Sequence, residues 1–118
     1  MRIALIDDDA TTNFINKSKL KKHVANCEVF SFSNGKEAID FLTSGNKLDV
    51  ALLDMNMPVM NGLEFLKTHA ELPENQRISR VFLFVEQNVD EIFKEKFKLF
   101  QVFKKPLTSE IIDLITHD

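Results

Sequence analysis

Five short apolar runs punctuate this chain, and most are followed by a stretch whose apolar residues recur at helical spacing. The runs are residues 2–6, 27–32, 50–53, 81–85 and 100–103. Strands that alternate with helices call for a parallel sheet covered by helices on both faces. The runs 50–53 and 81–85 are apolar at every position, as expected of strands buried on both sides. The helical patterns open after Asp9 (inner stripe Phe14, Ile15, Leu20 and Val24), after Asn34 (Ala38, Ile39, Phe41, Leu42) and at Gly62. Two more cover 88–99, with Val89, Ile92, Phe93 and Phe97, and 107–115, with Thr108 or Ser109 near the start. Asp9 and the Ser33-Asn34-Gly35 turn read as helix caps. No repeat, linker or low-complexity segment interrupts the order, so residues 1–118 read as one domain.

At 118 residues the chain can bury a core without metal or disulfide support. Its eleven Phe, with no Trp or Tyr, point to a Phe-rich core. A net charge of −3 argues against a nucleic-acid surface, which needs clustered Lys and Arg. Lys17, Lys19, Lys21 and Lys22 read as a solvated helix face, and His23, His69 and His117 as surface residues. The single Cys27 excludes an intrachain disulfide and suits a reducing compartment. No run has the length of a signal-peptide core or a membrane span, so a cytoplasmic protein without a membrane partner is expected.

Function is concentrated where the strands end. Right-handed crossovers bring the carboxyl ends of parallel strands to one edge of the sheet, where open α/β sheets place their sites. That edge gathers Asp7, Asp8, Asp54, Val85 and Lys105. Unit charges about 4 Å apart repel by roughly 4 kcal/mol at an effective dielectric near 20, so either some protons stay on or a cation binds. Mg2+ suits such a site, because it takes oxygen ligands and is held by one or two carboxylates plus water and phosphate. Acids, Mg2+ and a lysine together can receive a phosphoryl group, with a carboxylate as covalent acceptor.

Three motifs carry a resemblance that covers essentially the whole chain: Ile6-Asp7-Asp8, Asp54-Met-Asn-Met-Pro-Val-Met-Asn-Gly62 and Lys105-Pro106. Together, at these strand ends, the sequence resembles the receiver domain of two-component response regulators, with a layout most like the stand-alone chemotaxis type. The resemblance implies a flavodoxin-like (βα)5 fold with strand order 2-1-3-4-5. It implies that Asp54 is phosphorylated from the phosphohistidine of a sensor histidine kinase or phosphotransfer protein, for relay to a downstream protein target. Asp8 and Asp54 would ligate Mg2+ with their carboxylates, Asn56 with its backbone carbonyl, and Asp7 through water. Lys105 would bond the phosphoryl oxygens or, before phosphorylation, Asp54, and the Lys105–Pro106 bond would be cis.

Two positions depart from the family pattern. The hydroxyl residue expected at the end of strand four is Val85, which cannot bond a phosphoryl oxygen. The aromatic switch position on strand five is Val102, and Phe103 beside it should face the other way. Both belong to one coupling mechanism, so phosphorylation is expected to drive a weakened or replaced switch; the other reading is a phosphorylation-insensitive docking module. Glu86 adds bulk and charge at the pocket mouth. A rival assignment comes from Asp7-Asp8-Asp9-Ala10-Thr11, which fits the signature of haloacid-dehalogenase-type phosphatases with Asp7 as nucleophile. Those enzymes need a later hydroxyl and a downstream acidic pair, and Val85 is not a hydroxyl. Residues 88–99, strand five and the last helix, with Lys94, Lys96, Lys98 and Lys104, offer a face for docking or dimerisation.

Overall fold

In the computed structural model, which describes residues 1–86, 95 and 100–117, the apolar runs form the strands β1 (Arg2–Ile6), β2 (Glu28–Phe32), β3 (Val50–Leu53), β4 (Arg80–Val85) and β5 (Gln101–Lys104). They make one parallel sheet in the order β2-β1-β3-β4-β5, the doubly wound arrangement that the alternation of elements requires. All four residues of β3 are buried, as an uninterrupted apolar run demands. Alternate residues divide the core in two. Ala4, Ile6, Ala51, Leu53 and Leu83 pack on one face of the sheet, while Ile3, Leu5, Val50, Leu52, Phe82 and Phe84 pack on the other.

Four helices lie among the described residues: α1 (Ala10–His23), α2 (Gly35–Thr43), α3 (Gly62–Glu71) and a C-terminal helix (Ser109–Thr116). Ala38, Leu42 and Phe65 bring α2 and α3 to the first face; Leu20, Ile112 and Ile115 bring α1 and the C-terminal helix to the second. Each start has a side-chain acceptor on an otherwise unpaired N–H. Asp9 serves Thr11 and Thr12, Asn34 serves Glu37, and Thr108 serves Ile111. At α3, Asn61 and Glu64 cap each other reciprocally, the Asn-x-x-Glu form of a capping box. The helix expected over 88–99 lies outside the described residues apart from position 95. So does most of the lysine-bearing face built on it; Lys104 is exposed. Among the described residues no helix is long and apolar enough to cross a membrane.

The inner stripe of α1 differs from the sequence expectation. Phe14 is 73% exposed and Ile15 45%, whereas Asn13, Asn16 and Leu20 are buried. On a repeat of 3.6, the face set by Leu20 returns at positions 16 and 13 and leaves 14 and 15 turned outward. The basic cluster is also only partly solvent-facing, because the ammonium of Lys19 donates to the carbonyl of Leu107 at 2.8 Å and ties α1 to the segment after β5. His69 is no plain surface residue. Its Nε2 accepts the Ile78 N–H at 2.8 Å and its ring stacks on Phe65; burial, assisted by the Arg77 charge, holds its pKa below the usual range. Four phenylalanines, Phe32, Phe65, Phe82 and Phe84, lie in the core as expected.

Val59, 74% exposed, has φ +67°, a left-handed conformation that penalises a β-branched side chain. Val59→Asn is expected to stabilise the protein by about 1 kcal/mol, which urea denaturation would measure. An unchanged midpoint would show that this loop position carries no strain.

Candidate functional site

The site forms at the carboxyl edge of the sheet, where β1 and β3 end side by side and β5 ends beyond β4. The N–H of Asp7 still donates to Phe32 O at 3.0 Å, and that of Asp54 donates to Ile6 O at 2.9 Å. Main-chain bonds to neighbouring strands therefore fix both acids. The Lys105 N–H donates to Val85 O at 2.6 Å, which holds the lysine beside the end of β4. The Lys105–Pro106 bond is cis, as the family resemblance implied.

The loop leaving Asp54 turns back on itself, with the Gly62 N–H donating to Met55 O at 3.1 Å. A Cβ on Gly62 would lie 2.7 Å from the Met55 Cα and 2.9 Å from Asp54 O, so only glycine permits this approach. Gly62→Ala is expected to displace the main chain at Asp54 and to lower stability. An unchanged midpoint in urea denaturation would show that the loop yields elsewhere.

Asp7 is buried, and both its carboxylate oxygens are engaged. Oδ1 accepts the Asp9 N–H at 2.9 Å and Oδ2 accepts from Lys105 Nζ at 2.6 Å. Asp8 is exposed, and Asp54 is half-buried with the Asn56 N–H 3.5 Å from its Oδ1. Lys105 was expected against Asp54; it pairs with Asp54 Oδ1 at 3.8 Å, and its shorter bond, 2.6 Å, goes to Asp7 Oδ2. One oxygen from each of Asp7, Asp8 and Asp54 falls within 4.8 Å of the others. Asp7, Asp8, Asp9, Asp54, Met55, Asn56, Val85 and Glu86 line a cavity of about 250 Å³ there.

Crowding of like charges has a measurable consequence. Burial, reinforced by the negative charge of Asp7, pushes the Asp54 carboxyl up to about 6 against the opposing pull of Lys105. Burial alone would lower the Lys105 pKa, but the bond and charge of Asp7, with Asp54 and Glu86 adding to them, hold it above its usual value. Asp9 plays another part: Thr12 and Thr11 N–H groups bond its carboxylate, which lowers its pKa and commits it to capping. An all-oxygen cluster with one carboxyl reluctant to ionise suits a small hard cation, and Mg2+ fits these donors.

Val85 stands at the cavity wall where a hydroxyl was expected, and presents methyl groups there. Val102 packs on the α2–α3 side of the sheet, while Phe103 packs on the opposite side with its ring 5.7 Å from that of Phe82. The strand therefore alternates as expected. Asn13 was missed by the sequence reading. Its Nδ2 donates to Asp7 O at 2.8 Å, and its spacing of seven from Leu20 was the available signal.

Residues 3–115 match the family described as the response regulator receiver domain. The chain is 32% identical, over 97% of its length and 81% of the relative's, to two-component response regulator 24 of Arabidopsis thaliana. It is 37% identical to the chemotaxis protein CheY homolog of Campylobacter jejuni, an alignment that covers 57% of this chain and 51% of that protein. Among solved structures, the response regulator receiver protein of Dyadobacter fermentans superposes with a TM-score of 0.81 at 30% identity, covering 97% of this chain and 94% of that one. Three motifs at the ends of three parallel strands and a family match over nearly the whole sequence lead to one conclusion: the chain belongs to the response regulator receiver domain family of two-component signalling.

Proposed function

We propose that Asp54 is the phosphoacceptor of this receiver domain, in a Mg2+-dependent transfer from the phosphohistidine of a sensor histidine kinase or phosphotransfer protein. The observation that carries this reading is the convergence of Asp7, Asp8 and Asp54 on one cavity at the sheet edge, with the Lys105 ammonium 2.6 Å from Asp7 and 3.8 Å from Asp54. Receiver domains bind Mg2+ at an acidic pocket, and Asp7, Asp8 and Asp54 form such a cluster here. Asp8 and Asp54 would hold the ion directly, with the Asn56 carbonyl as a third donor; Asp7, already engaged by Lys105 and Asp9, would reach it through water. When bound, the ion neutralises the phosphoryl oxygens as charge shifts during transfer.

The chain's own groups do the rest. An oxygen of Asp54 attacks phosphorus, the bond from phosphorus to the histidine nitrogen breaks, and the imidazole keeps the electron pair and takes up a proton. The product is an acyl phosphate on Asp54. Lys105, 3.8 Å from Asp54, needs only a short side-chain movement to bond a phosphoryl oxygen. Incubation with Mg2+ and acetyl phosphate, then reduction with tritiated borohydride, which expels the phosphate and leaves a labelled homoserine at the acylated position, and peptide mapping test the assignment. Label on Asp54, absent in Asp54→Asn, is expected. Label on Asp7 would turn the reading to a haloacid-dehalogenase-type phosphatase, and none at all would refute phosphoacceptance.

Val85 favours a second element of the reading, a weakened response to phosphorylation. The missing hydrogen bond to a charged oxygen is worth about 1.5–3 kcal/mol, a large part of the roughly 5.5 kcal/mol that turns a two-state loop from one conformer to the other. Val85→Thr is expected to enlarge the NMR shifts that beryllofluoride induces beyond the end of β4. Equal shifts in both proteins would refute the weakened switch and leave the phosphoacceptor assignment standing.

A further inference from the structure

We propose that Asn13 is a positioning residue for the metal site, an inference that rests on the Mg2+ reading above. Asn13 lies one helical turn inside α1 and is 6% exposed, on the face that a core helix would fill with apolar side chains. Its amide does two unequal things. Nδ2 donates to the main-chain oxygen of Asp7 at 2.8 Å, while buried Oδ1 has no hydrogen-bond partner among the described residues. A buried carbonyl oxygen without a donor is costly, and leucine has nearly the same shape without that cost. The favourable half of the arrangement is the bond to Asp7.

That bond completes the clamp on the peptide linking the two acids. Phe32 O receives the Asp7 N–H, Asp9 and Lys105 hold its carboxylate, and Asn13 holds its carbonyl. With the Asp7 carbonyl fixed, the Asp7–Asp8 peptide plane has one orientation, and Asp8, which is exposed and lines the cavity, leaves the main chain in a set direction toward Asp54. Without the bond, the peptide plane can rotate and the oxygens of Asp8 and Asp54 meet in the metal-binding arrangement only part of the time. Outer residues that orient metal ligands commonly govern affinity to this extent.

The test uses Asn13→Leu, with Asn13→Ser as a smaller variant should leucine not fit, and Asn16→Leu as a control. Asn16 is also 6% exposed on the same helix face, one turn farther from Asp7. Mg2+ titrated alone into each protein gives the affinity, and thermal melting in EDTA gives the stability. Asn13→Leu and Asn13→Ser are expected to bind Mg2+ about tenfold more weakly than wild type, out of proportion to any change in melting temperature, and to form acyl phosphate more slowly. Asn16→Leu is expected to bind as wild type does. Wild-type affinity in the Asn13 variants would overturn the positioning role and leave the phosphoacceptor reading intact. A wild-type protein that binds no Mg2+ would remove both. An equal loss in Asn16→Leu would show a general effect of core polarity and also overturn the proposal.

Discussion

In metal-free buffer near pH 8, Asp54→Asn is expected to be more stable than wild type by about 1–2 kcal/mol, because solvent screens part of the half-buried charge, an advantage that vanishes near pH 4. The sign follows from the raised carboxyl. In the folded protein Asp54 keeps its proton up to about 6, whereas the unfolded chain releases it near 3.8. Between these values the native state binds more protons, so wild-type stability falls as the pH rises and stays low above the upper one. Asparagine carries no charge to bury beside Asp7 and escapes that loss. Adding Mg2+ should reverse the order, since at a concentration about a hundredfold above its Kd a ligand adds roughly 2.7 kcal/mol to the protein that binds it. Urea denaturation across the range, with EDTA or Mg2+, reads both effects. A variant no more stable than wild type at the alkaline end would mean that Asp54 is solvated as an ordinary surface acid.

Lys105→Ala should act in the opposite direction. The ammonium lies 2.6 Å from Asp7 Oδ2, and the two side chains are only 14% and 9% exposed. Removing one member of so enclosed a pair leaves a buried charge uncompensated, at a cost of about 3 kcal/mol. Because the Lys105 pKa is raised, its contribution is fully present below its unfolded value of 10.5 and is lost only in strong alkali, so the whole loss should be seen at neutral pH. Mg2+ should repair part of it. Without the lysine's competing charge the three acids attract the ion more strongly, and the stability gap to wild type should narrow as Mg2+ is added. Phosphorylation of Asp54 should nevertheless slow, since the ammonium 3.8 Å from Asp54 is lost. An alanine variant as stable as wild type in EDTA would show that the Asp7–Lys105 pair contributes nothing to the fold.

The sheet and its site were largely legible because each rests on a local rule. β3 declared itself through an apolar run, the caps at Asp9 and Asn34 through residue type, and the convergence of Asp7, Asp54 and Lys105 through the geometry of right-handed crossovers. The parts that were not legible depend on which groups face one another in three dimensions. On α1, hydrophobicity favoured Phe14 and Ile15, but helix phase placed Asn13 and Asn16 inside, and Asn13 supplies a donor to the β1–α1 loop. Lys105 chose the better-buried Asp7 over Asp54, a competition that only distances resolve. His69 and Lys19 read as surface residues because their partners, the Ile78 N–H donor and the Leu107 carbonyl acceptor, come from other elements of the chain. The capping box at Asn61 and Glu64 was written in the sequence and went unread.

Titration of Mg2+ into the protein, followed through the 13C resonances of the aspartate carboxylates, tests the central claim most directly. The account predicts that Asp54 and Asp8 shift together along one binding curve. It also predicts that the Asp54 pKa falls from about 6 into the ordinary carboxylate range once the ion is bound, while Asp9, held by its capping bonds, shifts less than either. Carboxylates that ignore Mg2+, or an ion that perturbs Asp9 and leaves Asp54 untouched, would contradict it.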